Sequence, residues 1–133
     1  MHASQLLKTH FQTIKDDPVA WRKLFAEDAV MELPFAPPQV PGVMKGIDTI
    51  DKSVRGFFEQ FRDFQIEVKN IYPVEGEDAA FAEFAATATV IHTNKAYNQD
   101  YVLFIRAQNG KIVLYREYLN PMRIAAAFTP DAA

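Results

Sequence analysis

The stretch KIVLYREYLNP, Lys111 to Pro121, sets two charges, Arg116 and Glu117, inside a run that otherwise reads as a buried β-strand. Successive side chains of a strand point to opposite faces, so these two face opposite ways among bulky apolar and aromatic neighbours. A carboxylate held among apolar walls has its charged form disfavoured, and the raised pKa suits it to take or give a proton near neutrality. Glu117 is therefore the first candidate for general acid/base chemistry. Its alternative is a solvated edge carboxylate or one tied into an ion pair. Glu83, inside FAEFAATATV, is the second polar intruder. Alternation groups it with Phe81, Ala85 and Thr87, while Ala82, Phe84, Ala86 and Ala88 take the other face. Glu83 beside Glu117 would make a carboxylate pair with one member protonated and the other ionised. The alternative is a rim carboxylate bonded to solvent or a lysine. Asp100 ranks third, with the face parity of Val102 but a place near the start of its strand, where exposure is easier. Arg116 reads more readily as half of a structural or interface salt bridge than as an anchor for an anionic substrate.

Other chemistries find little support. The chain has no cysteine, which removes disulfides, thiolate metal sites and cysteine nucleophiles. His2, His10 and His92 form no pair with metal-ligand spacing on one element, and a structural or surface role is the simpler reading of each. The serines and threonines lie in no nucleophile-elbow motif, and no glycine-rich loop is available to cradle phosphate. Neither a metal nor a cofactor is expected. The 133 residues are 49% hydrophobic with a formal charge of −3, which fits one globular domain over residues 1–133 with a substantial core. Scattered lysines and arginines argue against a nucleic-acid surface, and no run approaches the length of a membrane span. MHASQLLKTHFQTIKDD lacks the plan of a secretory signal, so a cytoplasmic, unprocessed protein is expected.

The elements that must position these residues follow from periodicity. Ser4 can cap a first helix carrying Leu7, Phe11 and Ile14 at helical spacing, with Leu6 and His10 alongside. Asp17 and Pro18 restart the chain as the N-cap and first position of a short helix with Trp21, Leu24 and Phe25 on its apolar stripe. DAVMELPF reads as a strand, and the prolines of LPFAPPQVPG make the next stretch a loop. After Gly46, Ile47, Ile50, Val54, Phe57, Phe58 and Phe61 define the broad face of a third helix. Four β-like segments follow: FQIEVKNIYPV, AAFAEFAATATVIHT, AYNQDYVLFIRA and KIVLYREYL, the last two joined at an Asn109-Gly110 hairpin signal. A two-residue turn there pairs Gln108 with Lys111, and stepping back pairs Phe104 with Tyr115 and Val102 with Glu117. A three-residue loop would instead set Tyr101 opposite Glu117. The order is α+β, with helices on one side of an antiparallel meander. YVLFIR is apolar on both parities, so both sheet faces need cover, and a second copy of the chain is expected on the face the helices leave open.

FAEDAVMELPFAPP, KGIDTI and NGKIVLYREYLNP, in this order and spacing, resemble the nuclear transport factor 2-like superfamily, in its polyketide cyclase (SnoaL-like) and ketosteroid isomerase-like branch. The resemblance covers nearly the whole chain. It implies a cone-shaped α+β fold in which three N-terminal helices and a strongly curved, mostly antiparallel sheet enclose a pocket. Dimerisation through the outer sheet face is common there. Aligned through AEDAVMELP, the position of the ketosteroid isomerase base falls on Leu33, and counting back from Gly110 the oxyanion-hole Asp falls on Val102, so ordinary ketosteroid isomerisation is not expected. The histidine that phenazine-biosynthesis members carry in their third helix falls at Ser53.

By this resemblance Val113, Tyr115, Glu117 and Leu119, with Val102 and Phe104, line the pocket, and Leu114, Arg116 and Tyr118 face the partner subunit. Trp21, Phe57 and Leu33 complete the expected ligand contacts. The expected function is a cofactor-independent isomerase, cyclase or dehydratase acting on a small hydrophobic carbonyl compound. Glu117 would shuttle the proton, and Glu83, Asp100 or the Tyr115 hydroxyl would support the charge on the substrate oxygen. The competing expectation is a non-catalytic module of the same fold that binds a hydrophobic ligand or a partner protein. Convergent polar groups in a closed pocket would favour the enzyme over the binding module.

Overall fold

A computed structural model describes residues 1–132. Helices α1 (Ala3–Thr13) and α2 (Pro18–Arg22) lead into strands β1 (Phe25–Glu32) and β2 (Val43–Lys45), followed by α3 (Ile47–Phe58). The strands β3 (Phe61–Pro73), β4 (Ala79–Val90), β5 (Ala96–Gln108) and β6 (Lys111–Leu119) form the meander, and α4 (Pro121–Phe128) ends the chain. The six strands make one sheet in the order β2-β1-β6-β5-β4-β3, antiparallel except where β1 runs parallel to β6. This is the expected α+β architecture with a corrected helix count. The third helix follows two strands, and a fourth, C-terminal helix was not anticipated, although Asn120-Pro121 is a start signal: the Asn120 side chain caps Met122 N–H at 3.0 Å. Among the described residues no helix is long and apolar enough to cross a membrane.

Local chemistry explains most of the boundaries. Asp17 caps α2 through Ala20 N–H, with Pro18 in the first turn. Ser4 does not cap α1, which begins one residue earlier; the orphan N–H of Ala3 is met by Asp78 from the β3–β4 turn at 2.8 Å. Ala3, Leu6, Leu7 and His10 are the buried face of α1, which lies on the inner face of the sheet, where Phe11 packs edge-on against Phe84. The buried Ala82, Ala86 and Ala88 on that same face of β4 let the helix approach. Trp21, Tyr97, Leu6 and Leu7 are among the largest fully buried side chains, and full burial of a large apolar side chain contributes about 1.5–3 kcal/mol.

The β5–β6 hairpin decides which residues share a face. Asn109 and Gly110 both have positive φ, 53° and 75°, as a two-residue type I′ turn requires, and Gln108 pairs with Lys111 as expected. Two residues later the register breaks: Ala107 pairs with Ile112, but Arg106 pairs with Leu114. Val113 is thus the extra residue of a β-bulge. Ile112 and Tyr115, 0% and 3% exposed, both belong to the core although they are three apart. Regular alternation cannot bury both, and the bulge does. The partner of Glu117 is consequently Leu103, and that of Tyr115 is Ile105.

Candidate active site

Between α1, α3, α4, the proline-rich loop and the inner face of the sheet lies a cavity of about 330 Å³. Its walls are aromatic and aliphatic: Phe57 and Phe58 from α3, Phe11 from α1, Phe84 from β4, Phe128 from α4, with Ala36, Pro37 and Val40 from the loop at one side. Leu33 N–H bonds the carbonyl of Gly42 at 2.8 Å and ties off the base of that loop. At the other side, Gln99 holds α4 in place. Its buried amide donates to Asn120 O and accepts from Asn120 N–H, both at 2.9 Å.

Among the described residues, Glu117 and His10 are the only Asp, Glu, Lys, Arg or His side chains lining this cavity. Glu117 lines the cavity and retains some accessible surface. Desolvation there pushes its pKa up to about 7, against the opposing pull of a hydrogen bond from Tyr115. His10 is 1% exposed, and burial lowers its pKa to about 3, so its ring is neutral. Trp21 Nε1–H donates to His10 Nδ1 at 2.8 Å. His10 Nε2 is 3.4 Å from the Tyr115 hydroxyl, and that hydroxyl is 3.3 Å from Glu117 Oε2. Burial first, then the charge of Glu117, drives the Tyr115 pKa well upward, so it stays a protonated donor.

A second polar pair joins from β5. Tyr101 lines the cavity wall, and its hydroxyl lies 2.6 Å from that of the buried Tyr97. The Tyr101 ring stacks on Phe84, 4.6 Å between centroids and 4° from parallel. Burial raises the pKa of Tyr101 strongly, with the Glu117 charge next, and burial pushes Tyr97 up to about 12. Both are neutral hydroxyls at working pH, and Tyr101, the one whose residue lines the cavity, is the candidate to donate to an oxygen that gains negative charge.

The expected site residues separate into two groups. Glu117, Tyr115, Leu119, Phe57 and Leu33 line the cavity. Val102 and Phe104 do not: the bulge turns them to the outer face, opposite Tyr118 and Arg116, and Tyr101 and Leu103 take their inward places. Glu83 and Asp100 are also on the outer face. Glu83 pairs with Val102 and accepts from Asn70 at 3.3 Å, and Asp100 is exposed between Lys69 and Arg123. The two faces of β4 were separated correctly, but the alanine face, not the Glu83 face, turns inward under α1. Trp21 is buried behind His10 and touches the cavity only through it. Arg116 pairs with Glu32 at 2.7 Å on the outer face. His10, Tyr101, Gln39 and Gln60 are polar lining residues that the sequence does not single out for the pocket, and Ser53, where the resemblance sets a third-helix histidine, lines it too.

The profile of the SnoaL-like domain matches residues 9–115. A Bacillus subtilis protein, YesE, is 30% identical over 115 residues, covering 86% of this chain and 78% of that one. A crystal structure from Bacillus subtilis, under the provisional designation isomerase, superposes with a TM-score of 0.84 at 29% identity, covering 95% of this chain and 91% of that one. A Catenulispora acidiphila protein of ketosteroid isomerase-like fold, solved with trimethylamine, gives a TM-score of 0.80 at 12% identity over 97% and 95% of the two chains. The chain belongs to the SnoaL-like domain family, on the nuclear transport factor 2-like fold.

Proposed function

We propose that this protein is a cofactor-independent enzyme of isomerase, cyclase or dehydratase type, acting on a small, neutral, largely apolar carbonyl compound. The observation that carries this reading is a carboxyl group in an apolar cavity that two tyrosines also line, with desolvation pushing its pKa up to about 7. As carboxylate, Glu117 takes a proton from the carbon next to the carbonyl; the electron pair moves into the enolate, whose oxygen meets the Tyr101 hydroxyl. Returning the proton to another carbon isomerises the compound, and giving it to a leaving hydroxyl dehydrates it. No lysine or arginine lines the cavity among the described residues, so an anionic substrate would lose its hydration without gaining a counter-charge. One carboxyl and two hydroxyls replace the carboxylate pair expected from the sequence.

The reading is tested by incubating the protein in D2O with a panel of neutral cyclic ketones and enones and following loss of α-protons by NMR. Enzyme-dependent deuterium incorporation in at least one compound, lost in Glu117→Gln, is the expected result. Compounds that bind in the cavity and exchange no faster than in buffer would favour the binding-module reading.

We further propose that the protein works as a homodimer through its outer sheet face. The registers place Tyr72, Phe81, Phe104, Arg116 and Glu32 in one row across five strands, and Tyr72, Phe81 and Val102 are exposed there, 50%, 37% and 37%. A second copy related by a two-fold axis would bury this aromatic row against itself. Phe81→Asp, exposed in the single chain, is expected to shift sedimentation at micromolar concentration from dimer to monomer with the thermal transition of the fold retained. Monomer alone in the wild type would contradict the assembly.

A further inference from the structure

The hydrogen-bond chain behind Glu117 has a direction, and one residue outside the cavity sets it. An indole nitrogen only donates, so the 2.8 Å contact from Trp21 makes His10 Nδ1 an acceptor. The ring is buried and neutral, which leaves its single proton on Nε2, aimed at the Tyr115 oxygen. Tyr115 cannot donate to a nitrogen that already carries hydrogen, so its own proton goes to Glu117 Oε2. The 3.4 and 3.3 Å links are longer than optimal, as is common for catalytic contacts before a ligand closes on them. The titratable groups lining the cavity with Glu117 are Tyr115 on β6, Tyr101 on β5 and His10 on α1.

We propose that Trp21 and His10 are positioning residues for Glu117: they commit the Tyr115 proton to Oε2, so that Oε1 is the oxygen that exchanges protons with the substrate. This rests on the reading of Glu117 as the acid and base of the site. It assigns distinct tasks to the two hydroxyls of the cavity. Tyr115 is occupied with Glu117, and Tyr101, with Tyr97 behind it, is the one left to meet the substrate oxygen. It also explains why a histidine with no prospect of charging is buried beside the carboxyl: a neutral ring held in one tautomer passes on the orientation of the indole.

Two NMR measurements test this without any substrate. In protein carrying 15N-histidine, His10 should show the neutral Nε2–H tautomer from pH 5 to 8; the Nδ1–H tautomer in the wild type would overturn the proposal before any variant is made. In protein carrying 13Cδ-glutamate, Trp21→Phe frees Nδ1 to take the proton and lets Nε2 accept from Tyr115. The midpoint of Glu117 should then rise by about one pH unit, the scale of one hydrogen bond to a charged group, and Tyr115→Phe should raise it similarly. A Glu117 midpoint unmoved in folded Trp21→Phe would overturn the proposal, whatever Tyr115→Phe does. Because the readout is a titration, its failure is distinct from failure of the ketone exchange, which bears on the catalytic reading alone.

Discussion

Glu117→Gln is expected to remove catalysed α-proton exchange and, at pH 8, to make the protein more stable. Loss of a positioned general base typically costs 10²–10⁴-fold in rate. The stability gain has the opposite cause to most active-site losses. The folded pKa of Glu117 is raised from 4.5 to about 7 by desolvation, so the native state favours the protonated form. Its contribution is fully present below pH 4.5 and is lost as pH rises through 7. Above that, the wild type carries a charge in an apolar cavity and the glutamine does not. The difference is roughly 3 kcal/mol at pH 8 and close to zero at pH 4, from a shift of about two and a half units at 1.36 kcal/mol per unit. The amide keeps the carboxyl's size and an oxygen for Tyr115 to donate to, so packing is little changed. Urea denaturation of both proteins at the two pH values reads this out; a difference independent of pH would mean that the carboxyl is solvated.

His10 produces the mirror-image effect on the acid side. Burial depresses its pKa from 6.5 to about 3, so its contribution is present above pH 6.5 and is lost as pH falls through 3, in all roughly 4–5 kcal/mol. Between about pH 4.5 and 6.5 the two groups offset each other. The folded protein holds Glu117 protonated and His10 neutral, while the unfolded chain ionises both; the pair binds the same number of protons in each state. Their joint contribution is therefore flat across that window and falls steeply below it. Glu117→Gln should uncover the His10 slope, with stability rising by up to about 1.4 kcal/mol per pH unit between pH 4.5 and 6.5. Denaturation midpoints across this range, converted to free energies for both proteins, test it. A Glu117→Gln curve that stays flat over this range would show that His10 has access to water in the folded state.

The parts of this fold that were legible in the sequence are those set by neighbours along the chain. The helical spacing of Leu7, Phe11 and Ile14 with Leu6 and His10 alongside, the Asp17-Pro18 start and the Asn109-Gly110 turn each involve a few residues and a local steric or hydrogen-bonding rule. Parity put Glu117 on one face with Tyr115 of its own strand, and the family resemblance implied that this face is the inner one. The residues opposite it did not follow. One unpaired residue, Val113, shifts every pairing beyond it, and turn chemistry cannot report a bulge two residues away. The clue was present in Ile112 and Tyr115, two core-type residues three apart. Glu83 failed for a different reason: alternation sorts residues into two faces without saying which is inner, and α1 chose the alanine face by needing close approach. His10 was missed because what distinguishes it from an ordinary core histidine is Trp21 on the next helix and Tyr115 more than a hundred residues away.

The claim on which the rest depends is that Glu117 is a carboxyl in an apolar cavity, poised between its two protonation states near neutral pH. Site-resolved 13C titration of the Glu117 carboxyl in the unmodified protein measures this directly, with Glu117→Gln supplying the assignment. The midpoint predicted here is about 7; a midpoint near the ordinary glutamate value of about 4.3 would contradict it.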